Sequence, residues 1–236
     1  MLADQPEKRI TPSDVVHQLE RIRNPVYQMQ LFAMLKEQTN PREEGIKTLI
    51  DQGFDLNSVE ENGWTPLLYL IHRKGNDKSL LKLLQFLIEK GIDVNCKDKD
   101  GDNAFYPLCW NYKNENLIDI IRLLIENGID VNWKNNDGWN ALLLLCENYK
   151  NENLIDIIRL LIQNGIEVNC KNMFGDYALH FLCRNYKNEN LIDIIQLLIE
   201  NEIDVNDDDI STLQQHYQRG NRSQIVDLLN HHVSLC

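Results

Sequence analysis

One stretch of fifteen residues occurs three times in the chain at a constant spacing. Its copies begin at Asn111, Asn148 and Asn185, 37 residues apart. They read NYKNENLIDIIRLLI, and the single difference is Gln196, which replaces an arginine in the third copy. A fixed period of about 20 to 50 residues is typical of a solenoid, in which each unit packs only against its neighbours. The repetition therefore predicts a stack of similar units.

The apolar part of the repeated stretch predicts a helix that is covered on two sides. Its apolar residues between Leu117 and Ile125 occupy far more than one narrow stripe of a helix. In a stack, the covering elements are the partner helix of the same unit and the neighbouring unit. We expect Asn116 to cap this helix at its N-terminus and Gly128 to end it in the left-handed conformation.

A second set of recurring residues predicts how the units are joined. Each glycine such as Gly128 is followed by an extended arm, here residues 129–132, and then by a turn centred on a second glycine, here Gly138. Asp-Gly and Asn-Gly pairs are strong signals for tight turns because both residues tolerate a positive φ. Each unit is therefore expected to run as helix, loop, helix, arm and turn.

Three motifs in the second unit carry a family resemblance. Trp64-Thr65-Pro66-Leu67, a helix that ends in Gly91, and Ile92-Asp93-Val94-Asn95 resemble an ankyrin repeat. The resemblance implies an all-α ankyrin-repeat solenoid of helix-loop-helix units joined by β-turn arms, with five repeats and a C-terminal cap. The repeats are placed at 25–57, 62–95, 100–132, 137–169 and 174–206, the cap at 211–233, and a tail with a capping helix at 1–24.

The chain departs from the family pattern in the length of its unit. The family unit has about 33 residues, and the surplus here falls in the polar loop NYKNEN between the two helices. We expect this loop to project from the stack. It would present two rows of side chains, Tyr112, Tyr149 and Tyr186 in one and Lys113, Lys150 and Lys187 in the other.

Two further departures predict local changes in the backbone. Pro107 lies at the fourth helical position if Asn103 caps its helix, and proline has no N–H to bond the carbonyl of the cap. A late or distorted helix start is therefore expected there. Glu202 stands where the other repeats end in glycine. A positive φ costs such a residue about 1–2 kcal/mol, so we expect the last repeat to end differently.

The net charge and the positions of the cysteines restrict the class of partner and the cellular compartment that can be expected. The net charge of −12 argues against nucleic acid and anionic membranes, which bind basic surfaces, and is compatible with a basic partner. Cys109, Cys146 and Cys183 share one repeat position, which is typical of buried packing residues. The N-terminus MLADQPEKRI has no apolar run, so no secretory signal is expected. We expect a reducing compartment, the cytoplasm or the nucleus.

No group of residues stands out as catalytic. His180 and Cys183 lie three positions apart on a predicted helix, but both occupy ordinary repeat positions. The run Asp207-Asp208-Asp209 is better explained as the start of the final helix than as a calcium site. We therefore expect no enzyme activity, no metal and no cofactor.

The resemblance implies a protein partner, bound against the turn tips and first helices, which form a concave surface in this family. The internal contrast agrees with this, because the second helices are nearly identical whereas the turn and first-helix residues differ between units. The positions assigned to partner binding are Trp64, His72, Arg73, Lys99, Asp102, Trp110, Asn136, Trp139, Glu147, Met173, Phe174, Asp176 and Arg184.

Several functional readings stay open at this point. The leading one is a monomeric, non-catalytic protein-binding scaffold, and the next is an adaptor or inhibitor that sequesters a basic partner. A metal-dependent enzyme and a self-assembling structural protein are the alternatives from other classes. The resemblance also suggests hydroxylation of Asn132 and Asn169, each of which ends an arm and follows a leucine eight residues earlier. Intact mass spectrometry of protein from its native cell would reveal the added oxygen.

Overall fold

The computed structural model describes residues 32–33, 43–74, 79–111, 114–217 and 220–235. The described residues contain eleven helices and no strand. The helices are α1 (Glu43–Asp51), α2 (Pro66–Lys74), α3 (Leu80–Glu89), α4 (Phe105–Asn111), α5 (Leu117–Glu126), α6 (Ala141–Asn148), α7 (Leu154–Gln163), α8 (Ala178–Asn185), α9 (Leu191–Ile199), α10 (Asp207–His216) and α11 (Arg222–Leu235). The expected tail and capping helix at 1–24 lie outside the described residues.

The helices form two layers that follow the order of the chain. The first helices of successive units, α2, α4, α6, α8 and α10, pack on one another in turn. The second helices, α3, α5, α7, α9 and α11, do the same. One continuous apolar cluster runs through the stack from Phe32 to Leu229. The prediction of an all-α solenoid is confirmed.

Helix α5 shows why the repeated stretch is conserved between units. Leu117, Ile120, Ile121 and Leu124 are fully buried on it, and the same positions are buried on α7 and α9. Burial of each such side chain contributes about 1.5–3 kcal/mol. The helix ends at Gly128, whose φ of 81° lies in the left-handed region, as predicted.

The NYKNEN loop does not project from the stack as predicted. Tyr149 and Tyr186 are 2% and 0% exposed and belong to the core. Lys150 Nζ donates to the carbonyl oxygens of Cys146 and Glu147, at the end of α6. Lys187 Nζ likewise bonds the Arg184 carbonyl oxygen at 3.1 Å. Local spacing cannot reveal this, because the tyrosines are covered by the preceding repeat. Tyr112 and Lys113 lie outside the described residues.

The predicted capping role of Asn116 is also wrong. Neither Asn116 nor its equivalents Asn153 and Asn190 makes a side-chain cap hydrogen bond. Asn153 Oδ1 instead accepts a hydrogen bond from the Tyr149 hydroxyl at 2.9 Å, and its Nδ2 donates to the Glu115 carbonyl oxygen at 3.2 Å. The amide is used between repeats, so it is not available to the helix N-terminus.

Helix α4 starts late, as Pro107 predicts. It begins at Phe105, whereas α6 and α8 begin one register position earlier, at Ala141 and Ala178. Asn103 Oδ1 accepts from the N–H of Phe105, two residues on, at 2.9 Å. The equivalent Asn140 accepts from the N–H of residue 143, three residues on, at 2.9 Å. Proline supplies no N–H for the regular first turn, so the first helical turn is shortened.

The last full repeat ends in the same way as the others, contrary to expectation. Glu202 adopts a φ of 62° and is the single non-glycine with a positive φ among the described residues. Its N–H bonds the Ile199 carbonyl oxygen at 3.0 Å, as the N–H of Gly128 bonds that of Ile125 at 3.0 Å. Packing of the following arm outweighs the local strain. Helix α10 then starts at Asp207 with a capping box between Asn206 and Asp209.

Candidate protein-binding surface

The turn tips and first helices form the turn-and-first-helix surface, which holds the thirteen residues that the sequence assigns to partner binding. Three large apolar residues on it are exposed, namely Trp110 at 41%, Met173 at 65% and Phe174 at 71%. The other exposed members are His72, Arg73, Lys99, Asn136 and Arg184, and the half-buried members are Trp64, Asp102, Trp139, Glu147 and Asp176. None is completely buried, so each offers some area to a partner.

Four neighbouring rings form an aromatic row, which we define as Tyr106, Trp110, Trp139 and the buried Phe181. Tyr106 and Trp110 stack with a centroid distance of 5.7 Å and an interplanar angle of 7°. Trp110 meets Trp139 edge-on at 6.4 Å, and Trp139 stacks on Phe181 at 5.2 Å. Direct packing of successive first helices brings together rings that are far apart in sequence. Tyr106 and Phe181 were missed because each looks like an ordinary core position on its own helix.

Carboxylates surround the first half of the aromatic row. Asp102 Oδ1 accepts a hydrogen bond from Asn135 Nδ2 at 2.9 Å. The pKa of Asp102 is raised to about 6, chiefly by partial burial and to a smaller extent by the charges of Asp98, Asp100 and Asp137, while the hydrogen bond from Asn135 opposes the shift. Burial and neighbouring like charges both disfavour the ionised form, and all three charged neighbours that raise this pKa are aspartates.

Two residues on the first helices α4 and α6, Tyr106 and Glu147, also have raised pKa values. Burial and the charges of Asp102, Asp137 and Glu147 raise the pKa of the Tyr106 phenol. Burial also raises the pKa of Glu147, although Lys150 and Arg184 oppose it. Glu147 Oε2 is enclosed and has no hydrogen-bond partner among the described residues. The aromatic row is therefore bordered by incompletely neutralised acid groups.

The polar residues of the turns mainly join one turn to the next. Asn136 Nδ2 donates to the Lys99 carbonyl oxygen at 3.1 Å, and the Asn136 N–H bonds that of Asp100 at 3.0 Å. A Cβ atom on Gly101 would lie 2.8 Å from Asn136 Oδ1. Asn136 is thus exposed, but its amide groups join two turns of the scaffold. Partner specificity is therefore expected to come from neighbouring residues.

The N-terminal end of the turn-and-first-helix surface has a different character. A depression of about 650 Å³ is lined by Asn62, Trp64, Tyr69, His72 and Arg73. Trp64 packs edge-on against Tyr69 at 4.7 Å and against His72 at 5.1 Å. The exposed side chains of His72 and Arg73 border this depression, and the Tyr69 hydroxyl donates to Glu60 Oε2 at 2.6 Å. The depression therefore combines ring faces with basic and acidic groups.

The residues considered for metal or thiol chemistry have structural contacts. His180 Nδ1 lies 3.0 Å from Asp176 Oδ1. Cys109, Cys146 and Cys183 are buried, which confirms the packing role, and burial raises the pKa of each thiol far above its usual range. Within the described ranges, no group of three or more His, Cys, Asp or Glu side chains is arranged to hold a metal ion. No helix in the described part of the chain is long and apolar enough to cross a membrane.

The asparagines that end the arms form a ladder between repeats. Asn132 Nδ2 donates to the Gly165 carbonyl oxygen at 2.8 Å, and its Oδ1 accepts from the Glu167 N–H at 2.7 Å. Asn169 makes the same pair of bonds to residues 202 and 204. Both amides are thus held in place by the next repeat. Their hydroxylation stays a prediction.

Helix pairs stacked in register, joined by arms with glycine turns, define the class of helical-repeat solenoids. The family model for ankyrin repeats in three copies matches residues 31–132, 73–172 and 108–209, so the chain belongs to the ankyrin repeat family. Ankyrin repeats generally mediate protein–protein interaction. The chain is also 35% identical over 57 residues to an ankyrin repeat-containing protein of Schizosaccharomyces pombe, and this match covers 24% of the chain. The match spans 25% of the length of that relative.

Proposed function

We propose that this protein is a non-catalytic interaction module that binds a partner protein through the turn-and-first-helix surface. The aromatic row carries the proposal, because it places the exposed ring of Trp110 beside the half-buried ring of Trp139. Large aromatic side chains at the centre of an interface dominate its binding energy. Trp110 is not needed to fill the core, since 41% of it is exposed.

The contrast between the two faces of the stack supports this assignment. The outer face of the second helices presents exposed charged residues such as Asp119, Arg122 and Arg159 in nearly identical arrays. The turn-and-first-helix surface instead presents exposed apolar residues, Trp110, Met173 and Phe174. Exposed apolar groups rimmed by polar residues are typical of interaction sites. A scaffold or adaptor role in the cytoplasm or nucleus fits the free cysteines at positions 96, 109, 146, 170 and 183.

The acid groups around the aromatic row favour a second candidate within the same class. An adaptor or inhibitor that sequesters a basic partner would use the net charge of −12 for attraction and the rings for affinity. The two candidates share one surface and differ in what happens to the bound partner. We expect the protein itself to be monomeric, which light scattering over a range of concentrations would show by a constant mass.

Affinity purification from native lysate tests the proposal. The wild-type protein is compared with Trp110→Ala, which removes an exposed ring, and with the control Arg122→Ala/Arg159→Ala on the outer face. We expect the control to recover the wild-type partners and Trp110→Ala to lose them, with both variants showing wild-type helical circular dichroism. Equal recovery by Trp110→Ala would show that the partner binds elsewhere.

A further inference from the structure

We propose that the partner segment is basic, and that one of its arginine side chains binds beside Trp110 with its guanidinium group paired to Asp102. This inference rests on the proposed function and specifies the type of side chain that the surface would bind. It identifies a cation site within the aromatic row, at the junction of α4 with the turn that precedes it.

The rings at this junction suit a flat cation. Tyr106 and Trp110 lie four residues apart on α4 and their planes differ by 7°. The Trp110 side chain is 41% exposed, so part of its ring is open to a partner. A guanidinium group is planar and weakly hydrated, so it stacks on aromatic rings better than an ammonium group does. Cation–π attraction adds to this stacking, and tryptophan is its strongest protein acceptor.

Carboxylates outnumber basic groups at this junction, where the turn 98–102 holds three aspartates and one basic residue, Lys99. Asp102 is half-buried, and the charged groups that shift its pKa, Asp98, Asp100 and Asp137, are all negative. Asn135 supplies one neutral hydrogen bond to Oδ1. A cation brought to Asp102 would relieve the repulsion among four carboxylates and would gain a charge-assisted hydrogen bond. The surface is therefore complementary to a positive group.

The remaining observations favour a protein side chain over a metal ion as the cation. No metal-binding group of His, Cys, Asp and Glu side chains exists among the described residues. A site made of rings and separate carboxylates is suited to a side chain that has a flat charged end and an apolar stem. Arginine has both, and its stem covers apolar surface while its head reaches an acid group. Steering by the overall charge of −12 would speed the encounter with a basic segment.

The test uses a synthetic acetylated peptide of alternating glycine and arginine, together with the same peptide in which citrulline replaces arginine. Citrulline keeps the shape of the side chain and removes its charge. Binding is measured by isothermal titration at low salt with wild type, Asp102→Asn, Trp110→Ala and the control Asp156→Asn. Asp156 is an exposed carboxylate in the first turn of α7, so its substitution changes the net charge equally.

We expect the arginine peptide to bind wild type about tenfold or more tighter than the citrulline peptide, since a charge-assisted hydrogen bond commonly contributes that much. Asp102→Asn and Trp110→Ala should each weaken the arginine peptide by about fivefold or more, and Asp156→Asn by less than about twofold. Equal binding of the citrulline peptide would overturn the proposal. So would equal effects of Asp102→Asn and Asp156→Asn, or full binding by Trp110→Ala.

The outcomes separate this inference from the proposed function. If Trp110→Ala loses its cellular partners but Asp102→Asn keeps them and the citrulline peptide binds as well as the arginine peptide, the cation site is wrong and the protein-binding surface stands. If Trp110→Ala keeps all its cellular partners, the proposed function fails, whatever the peptides do. Wild-type circular dichroism and melting of each variant ensure that a loss of binding is not a loss of fold.

Discussion

The hydroxyl of Tyr186 donates a hydrogen bond of 2.9 Å to Oδ1 of Asn190, across the loop that joins α8 to α9. Asn190 Nδ2 then donates to the Glu152 carbonyl oxygen of the preceding repeat at 2.8 Å. Tyr217 and Asn221 repeat this relationship in the sixth unit at 2.8 Å. The surplus residues of the NYKNEN loop thus form a hydrogen-bonded link between successive repeats.

The Tyr186 link can be removed without creating a cavity. Tyr186→Phe deletes the hydroxyl that serves Asn190 and that lies 3.2 Å from the Asn151 carbonyl oxygen. We expect the free energy of unfolding to fall by about 1–3 kcal/mol, because buried polar partners lose their hydrogen bond. Urea unfolding followed by circular dichroism measures the change. Tyr106 is half-buried, and Tyr106→Phe serves as the control. An unchanged urea midpoint for Tyr186→Phe would show that this hydrogen-bonded link does not stabilise the fold.

Glu202 offers a test of stored backbone strain. Its φ of 62° is unfavourable for a residue with a Cβ atom, and glycine occupies this position in the other repeats. Glu202→Gly should therefore raise the free energy of unfolding by about 1 kcal/mol. The reverse change, Gly128→Ala, should lower it by a similar amount, since a Cβ atom there would meet nothing within 4 Å and only φ is affected. Glu202→Ala keeps the strain, so a gain from that substitution would disprove the explanation.

The sequence predicts the features that each repeat encodes within itself. The apolar arc from Leu117 to Leu124 and the glycine at 128 identify the second helix and its end, because all their determinants are local. Asn116 was mistaken for a cap because the contacts of this position lie in another repeat: its equivalent Asn153 donates to the Glu115 carbonyl oxygen, 38 residues away. The aromatic row was found only in part for the same reason. Trp110 and Trp139 differ from their repeat equivalents, whereas Phe181 is buried and joins the row only through its stacking on Trp139.

Asp102 should make stability depend on pH in an unusual direction. Its pKa is raised from an ordinary value near 4 to about 6 on folding, mainly by burial. The folded protein therefore holds the proton more tightly than the unfolded chain does. This contribution is fully present below about pH 4 and is lost as the pH rises through about 6.

Asp102→Asn removes this titration while keeping the shape of the side chain. At pH 7 the variant should be more stable than wild type by about 1 kcal/mol or less, because solvent screens a half-exposed group. Between pH 4 and 6 its melting temperature should vary less than that of wild type. Asp156→Asn is the matched control, and a pH profile of Asp102→Asn that coincides with the wild-type profile would contradict the assignment.

The C-terminal unit makes a buried hydrogen-bonded contact with the last full repeat through Tyr177. The Tyr177 hydroxyl donates to Asp209 Oδ2 and accepts from Asn206 Nδ2 at 2.6 Å. Asp209 is 2% exposed, and desolvation raises its pKa, so it relies on its remaining hydrogen bonds to stay inside the protein. Asp209 also completes the capping box that starts α10. One tyrosine therefore supports both the docking and the first turn of the sixth unit.

Tyr177→Phe should loosen this unit selectively. Repeat proteins are stabilised by contacts between neighbours, so a lost contact at one end opens that end first. Loss of the hydroxyl should cost about 1–3 kcal/mol, because it leaves a buried carboxylate short of a donor. Amide hydrogen exchange should then speed up in α10 and α11 and stay at the wild-type rate in α5 and α7. Tyr106→Phe, which removes a hydroxyl outside the sixth unit, should leave exchange in α10 unchanged. Faster exchange spread evenly over the stack in Tyr177→Phe would mean that the six units unfold as one.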